Sequence, residues 1–258
     1  MVTNQDRSEH LWVENLENTL ARPGQRLLDH VNGTIEKITF LGDFYELDKD
    51  IVEMTVLSAI FHDIGKLKKA FQKGPIEGTP LPPHSPSSAC HVFSIWFVCE
   101  KGCFRNQSII LNVVYSHHGY PKDFWEGSEK DIKTIIIEKL SSECGCLAPL
   151  KLLREYLEKV DDKGRFPVVQ KIKDALSKLK GEEWKEYTKF WTTMVVRRFF
   201  GSHEVELQTV YDVLSLLKTA DRYDAASEEL HEKLLDSSTL VNSLYSVERR
   251  IKDYLSHV

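Results

Sequence analysis

Phe61-His62-Asp63-Ile64-Gly65-Lys66 sets an imidazole beside a carboxylate at the end of an almost continuous apolar stretch, Ile51 to Phe61. Consecutive nitrogen and oxygen ligands can turn toward one cation, and Gly65 lets the chain turn away at once. A lone His-Asp pair is common by chance, and a helix-end Asp beside a packed His would explain it. The spaced partners change the weighting: His30, His84, the pair His117-His118 and Asp221. His30 lies three residues after Leu27, at the border of an apolar helix face, and His117-His118 end an apolar segment, Ile109 to Tyr115. Leu207, Val210, Tyr211, Leu214 and Leu217 form a helical stripe that Asp221 and Ala225 continue. A carboxylate facing a core needs a partner, because an unpaired buried charge is very costly. Either a salt bridge to Arg197, Arg198 or another basic group, or a metal ion, would serve Asp221.

Together these are five histidines and two aspartates: His30, His62, Asp63, His84, His117, His118 and Asp221. Two octahedral ions sharing a bridging carboxylate could use all seven and keep positions open for water. Nitrogen-rich coordination favours Mn, Fe, Co or Ni over Mg, which prefers oxygen and keeps its waters. Two ions about 3.5–4 Å apart bind a phosphoryl oxygen and lower the pKa of a shared water, whose hydroxide attacks phosphorus in line. That chemistry is phosphoester hydrolysis, and it needs no serine or cysteine nucleophile.

The elements that must position these groups read as helices almost throughout, so the expected fold class is all-α. Leu27, Leu28, Val31, Ile35 and Ile38 mark one amphipathic face, and Ile51–Phe61 reads as a buried helix. Pro80, Pro82 and Pro83 mark a loop, and Ser85-Pro86 reads as the cap and first turn of a helix running to Cys99. Further helices are expected near 128–141, 149–159, 166–180, 183–200, 204–232 and 238–256.

The 258 residues can bury a full core without staples. A net charge of −5 excludes a generally basic nucleic-acid binder, so any such site must be local. No apolar run approaches the ~18 residues of a membrane span. Five cysteines, an odd number, and a polar N-terminus (Thr3 to Glu9) lead us to expect reduced thiols and a cytoplasmic protein. Lys66, Lys68, Lys69 and Lys73 form either a solvated face or a phosphate track. Tyr120, Phe124 and Trp125 either stack on bases or pack in a core. His91 reads as core, and His10, His203, His231 and His257 show no supporting pattern.

The ordered fragments Leu28-Asp29-His30, Phe61 to Lys66 with Phe71-Gln72, His84-Ser85 with Ser88-Ala89, Ser116-His117-His118-Gly119 and Ala220-Asp221-Arg222 carry a resemblance. The chain resembles the HD-domain metal phosphohydrolases, and more closely the CRISPR-associated HD nucleases of type I systems. The likeness spans roughly residues 25–230, with no motif between 125 and 205. It implies a single HD nuclease domain over 1–258, with 125–205 as a family-specific helical insertion. It implies one ion on His30, His62, Asp63 and Asp221, a second on Asp63, His84, His117 and His118, and Asp63 as the bridge. Lys66 would sit near the scissile phosphate, unless it is a solvated helix-end lysine. The substrate implied is single-stranded DNA, with RNA or R-loops in some members. The implied partners are a separate helicase subunit and the RNA-guided CRISPR surveillance complex. The chain contains no Gly-x-x-x-x-Gly-Lys-Ser/Thr loop, so it resembles the stand-alone form of this nuclease. Gly119-Tyr120-Pro121 is similar to an element of the cyclic-dinucleotide phosphodiesterases, but it abuts the His pair and lacks the following acidic residue. It is read as a helix stop. A nucleotide or cyclic-dinucleotide phosphohydrolase of the same superfamily is the alternative, and a non-enzymatic subunit keeping a structural metal is a third.

Overall fold

Leu27, Val31, Ile35 and Ile38 recur at helical spacing, and they line the buried side of α1 (Leu27–Phe44), with Thr34 and Leu41 extending it. The computed structural model describes residues 11–99, 106–118, 147–181, 183–184 and 207–230. An antiparallel hairpin, β1 (Leu20–Arg22) and β2 (Gln25–Arg26), leads directly into α1. Gly24 makes its tight turn at φ 81°, a left-handed conformation that glycine adopts freely. Asp48 then caps α2 (Lys49–His62), its carboxylate accepting from the backbone N–H of Asp50 at 2.7 Å. Every residue from Met54 to His62 is buried, so α2 is the central helix and has no solvent face over its second half.

A single 3-10 turn, Ile64–Leu67, follows Asp63 and precedes α3 (Lys69–Glu77). The remaining described helices are α4 (Ser85–Val98), α5 (Gln107–Ser116), α6 (Leu150–Val160), α7 (Pro167–Ser177) and α8 (Leu207–Leu230). Helices α1, α4, α5 and α8 surround α2, and α8 lies chiefly along α1. Helices α6 and α7 pair with each other and rest on α1 and α4. They fall inside the stretch expected to be an insertion, yet Leu153, Tyr156, Leu157 and Ile172 belong to the same core as α1 and α2. The Tyr156 hydroxyl donates to the Ile60 carbonyl of α2 at 2.6 Å.

The all-α expectation holds, and α6, α7 and α8 begin or end within a few residues of the expected spans. The hairpin was not expected. The helices foreseen at 128–141 and 238–256 lie outside the described residues. Helix α4 starts at Ser85 itself, so His84 and not Ser85 occupies the position before the helix. Cys90 and Cys99 are each disulfide-bonded, though not to each other, since they stand nine residues apart along a helix; this corrects the expectation of reduced thiols, because an odd cysteine count prevents complete pairing but not individual bonds. Among the described residues no helix is long and apolar enough to cross a membrane.

Candidate metal centre

The buried end of α2 delivers His62, and Asp63 is its C-cap at φ −109°, ψ 5°. Asp63 O accepts from the Lys66 N–H at 2.9 Å, which closes the 3-10 turn. Gly65 sits where this turn meets the start of α4. A Cβ there would lie 2.3 Å from the His84 carbonyl oxygen, and the Gly65 N–H donates to Ser88 Oγ at 2.9 Å. The glycine therefore permits close approach of two backbones, one carrying Asp63 and the other His84. Gln72 clamps the turn from the other side, donating to Lys66 O at 2.7 Å and Leu20 O at 2.9 Å and accepting from the Leu20 N–H. The segment at Leu11–Val13 adds backbone bonds to Leu67 and Lys69.

All seven expected side chains converge, in two clusters within which the ligand atoms lie no more than 4.8 Å apart: Asp63, His84, His117 and His118, and His30, His62 and Asp221. Asp63 faces both. Its Oδ1 is 2.7 Å from His84 Nε2 and 3.6 Å from His117 Nε2. Its Oδ2 is 3.3 Å from His30 Nε2 and 3.4 Å from His62 Nε2. His30 Nε2 also meets Asp221 Oδ1 at 3.1 Å. His84 Nε2 stands 2.9 Å from His118 Nε2 and 3.3 Å from His117 Nε2.

The donor set fits divalent cations. His62 Nδ1–H donates to Ala59 O, and His117 Nδ1–H to Val114 O, each at 2.7 Å. A carbonyl only accepts, so both rings carry a proton on Nδ1 and turn Nε2 into the cluster. His62 Nε2 is buried there with no hydrogen-bond partner. Nitrogens that face one another with lone pairs repel unless a cation lies among them. Burial drives His62 and His84 down to about 4 and His118 down to about 3, so all three are neutral ligands at pH 7. Burial also opposes ionisation of Asp63, but His62, Lys66 and His84 hold its carboxyl well below the usual range. Asp221 is likewise lowered against burial, mainly by its hydrogen bond to His30.

The family model described as "Cas3, HD domain" matches residues 21–209. The chain belongs to the Cas3 HD domain family. No curated protein and no solved structure matches it. A Cas3 HD domain is a metal-dependent hydrolase, a nuclease of type I CRISPR systems, and it binds divalent metal ions.

For this Cas3 HD domain the family match stops short of Asp221, and α8 brings that residue in by packing along α1. Asp221 is less enclosed than expected, its side chain 28% exposed. Tyr211, counted in the core stripe, is 40% exposed. The buried line of α8 runs through Val210, Val213, Leu214, Leu217 and Ala220 to Asp224, which sequence reasoning missed. The only sequence signal for Asp224 was its spacing of one helical turn from Asp221. Lys66 is 8% exposed, so it is not a solvated helix-end lysine. Its Nζ lies 2.6 Å from Asp63 Oδ2 and 5.4 Å from the Phe71 ring centre. Of the other lysines in the cluster, Lys69 pairs with Glu14 at 2.7 Å, Lys68 lies over Trp12 and Lys73 is exposed. His91 is core, as expected. Arg197, Arg198, Tyr120, Phe124 and Trp125 lie outside the described residues.

Proposed function

We propose that this Cas3 HD domain cuts single-stranded DNA with two divalent transition-metal ions, Mn, Fe, Co or Ni, held by His30, His62, Asp63 and Asp221 on one side and Asp63, His84, His117 and His118 on the other. The observation that carries this reading is the disposition of Asp63, whose two carboxylate oxygens each face a different histidine cluster. When bound, the ions supply Lewis-acid stabilisation of phosphoryl oxygen and a water of lowered pKa.

The chain's own residues do the rest. His62 and His117, locked by their Nδ1–H bonds to backbone carbonyls, present Nε2 without reorganisation. Lys66 holds Asp63 and adds a positive charge beside it, where it offsets charge on the scissile phosphate. Asp221 and His118 form the open rim, the former part-exposed and the latter exposed, and a phosphodiester enters there. RNA or an R-loop strand presents the same phosphodiester to that rim. Unwinding belongs to a helicase outside these residues, working with an RNA-guided surveillance complex, since the sequence holds no P-loop. The 258 residues act as one nuclease domain, α6 and α7 included.

The test is cleavage of circular single-stranded DNA by metal-loaded protein. Cutting with Mn, Ni, Co or Fe, lost in His62→Ala and Asp63→Asn by 10²-fold or more on the order expected for a removed electrostatic element, is the expected result. Turnover of mononucleotides or cyclic dinucleotides with intact polynucleotide would instead assign a small-molecule phosphohydrolase.

A further inference from the structure

His30 is held at both ring nitrogens by carboxylates one helical turn apart on α8. Its Nε2 faces Asp221 at 3.1 Å and its Nδ1 lies 2.7 Å from Asp224 Oδ2. Asp224 is buried, 6% exposed, and no part of the ligand clusters contains it. The same oxygen accepts from Gln25 Nε2 at 2.8 Å, and the Arg22 guanidinium stands 3.9 Å away. Residues of the β-hairpin thus fix the carboxylate that fixes His30. On α1, Gly33 follows His30 by three residues and lies on its side of the helix. A Cβ at Gly33 would fall 1.9 Å from Asp224 Oδ1 and 2.9 Å from its Cγ. The carboxylate occupies the space a side chain would take.

We infer that Asp224 is a positioning residue for the metal site and that Gly33 is the gap that admits it. By accepting from Nδ1–H of His30 it sets the ring plane and commits Nε2 to the space between Asp63 and Asp221. A carboxylate behind a ligating imidazole fixes tautomer and orientation, and its loss typically weakens metal binding about 10–100-fold. The inference rests on the two-ion reading above, since it concerns how one of those ligands is held. The competing account makes Asp224 a structural partner of Arg22 and Gln25 that does nothing for metal.

Titration of the metal-free full chain with Co2+, followed by its absorption spectrum and by calorimetry, separates the two. His30→Ala and His118→Ala identify which of two binding steps belongs to which cluster. Asp224→Ala weakens the step that His30→Ala removes, by about 10–100-fold, changes that site's spectrum and leaves the His118 step alone. Asp224→Asn, which keeps an acceptor oxygen, recovers part of the affinity. Gly33→Ala weakens the same step although Asp224 is intact and alanine is the better helix former. Unchanged affinity in both Asp224→Ala and Gly33→Ala overturns the inference, as does equal weakening of both steps. A wild-type chain that binds fewer than two ions sinks the two-ion reading itself, a result distinct from either.

Discussion

The proton on His30 sets this ligand apart from its neighbours. Burial works against the charged ring, but the hydrogen bonds it donates to Asp221, Asp224 and Asp63 outweigh it and lift His30 to about 10. Burial leaves His62 and His84 at about 4 and His118 at about 3, so a cation meets these three rings uncharged. An ion at the His30 cluster must therefore displace a proton between pH 7 and 9, while one at the His84 cluster displaces none from these rings. The sign follows directly: raising pH helps the first ion. Affinity at the His30 cluster is expected to climb roughly tenfold per pH unit over that range. Calorimetric Co2+ titrations in two buffers of different ionisation enthalpy would read close to one proton released at that step. A pH-independent affinity at both steps would contradict this account of His30.

Between elements, His91 joins α4 to the segment that leads into α6. Its Nδ1–H donates to Ser87 O at 2.7 Å and its Nε2 accepts from the Ala148 N–H at 2.9 Å, a pairing only the neutral ring can make. Burial pushes its pKa from 6.5 to about 4. The folded pKa is depressed, so this stabilisation is complete above pH 6.5 and is lost as pH falls toward 4. The 2.5-unit difference between 6.5 and 4 corresponds to roughly 3 kcal/mol. His91→Asn should lower the urea midpoint at pH 8, and the gap from wild type should narrow by pH 4.5; a constant gap would exclude titration of His91 as its source. The sequence had marked His91 as core, and the end of α2 with His62-Asp63 was legible because a buried apolar run stops there. Asp224 was not legible, because counting Tyr211 as core rotated the apolar face of α8 away from Ala220 and Asp224. The hairpin escaped for a simpler reason: strands of two and three residues are too short to show alternation. Gly65 was noticed for a turn, whereas its function, clearance from the His84 backbone, depends on a contact that no local pattern encodes.

Across the whole molecule, the site draws on α1, the end of α2, the approach to α4, the end of α5 and α8, so bound ions would tie together segments from residue 30 to residue 221. Two features decide how much the fold depends on them. The core is continuous without the site: Val31, Ile35, Leu57, Ile60, Val113, Leu153 and Leu217 all pack in it. A metal-free chain should therefore stay folded, unlike a small domain whose only core is its metal. Yet the metal-free cluster carries the unpartnered Nε2 of His62 and the opposed nitrogens of His84 and His118, which a cation relieves. Binding at ~100-fold excess over Kd adds about 2.7 kcal/mol per ion. For a domain of this size each kcal/mol is worth roughly 2–4 °C, so each ion should raise Tm by about 5–10 °C. Chelation of loaded protein is thus expected to lower Tm by about 10–20 °C in total, with far-UV circular dichroism retained at 25 °C. His30→Ala and His118→Ala should each forfeit about half of the metal-dependent increment, because each disables one cluster. Scanning calorimetry of loaded and chelated protein measures this directly. Unfolding on chelation at 25 °C would mean the core cannot stand alone, and an unchanged Tm would mean the clusters hold no ion that prefers the native state.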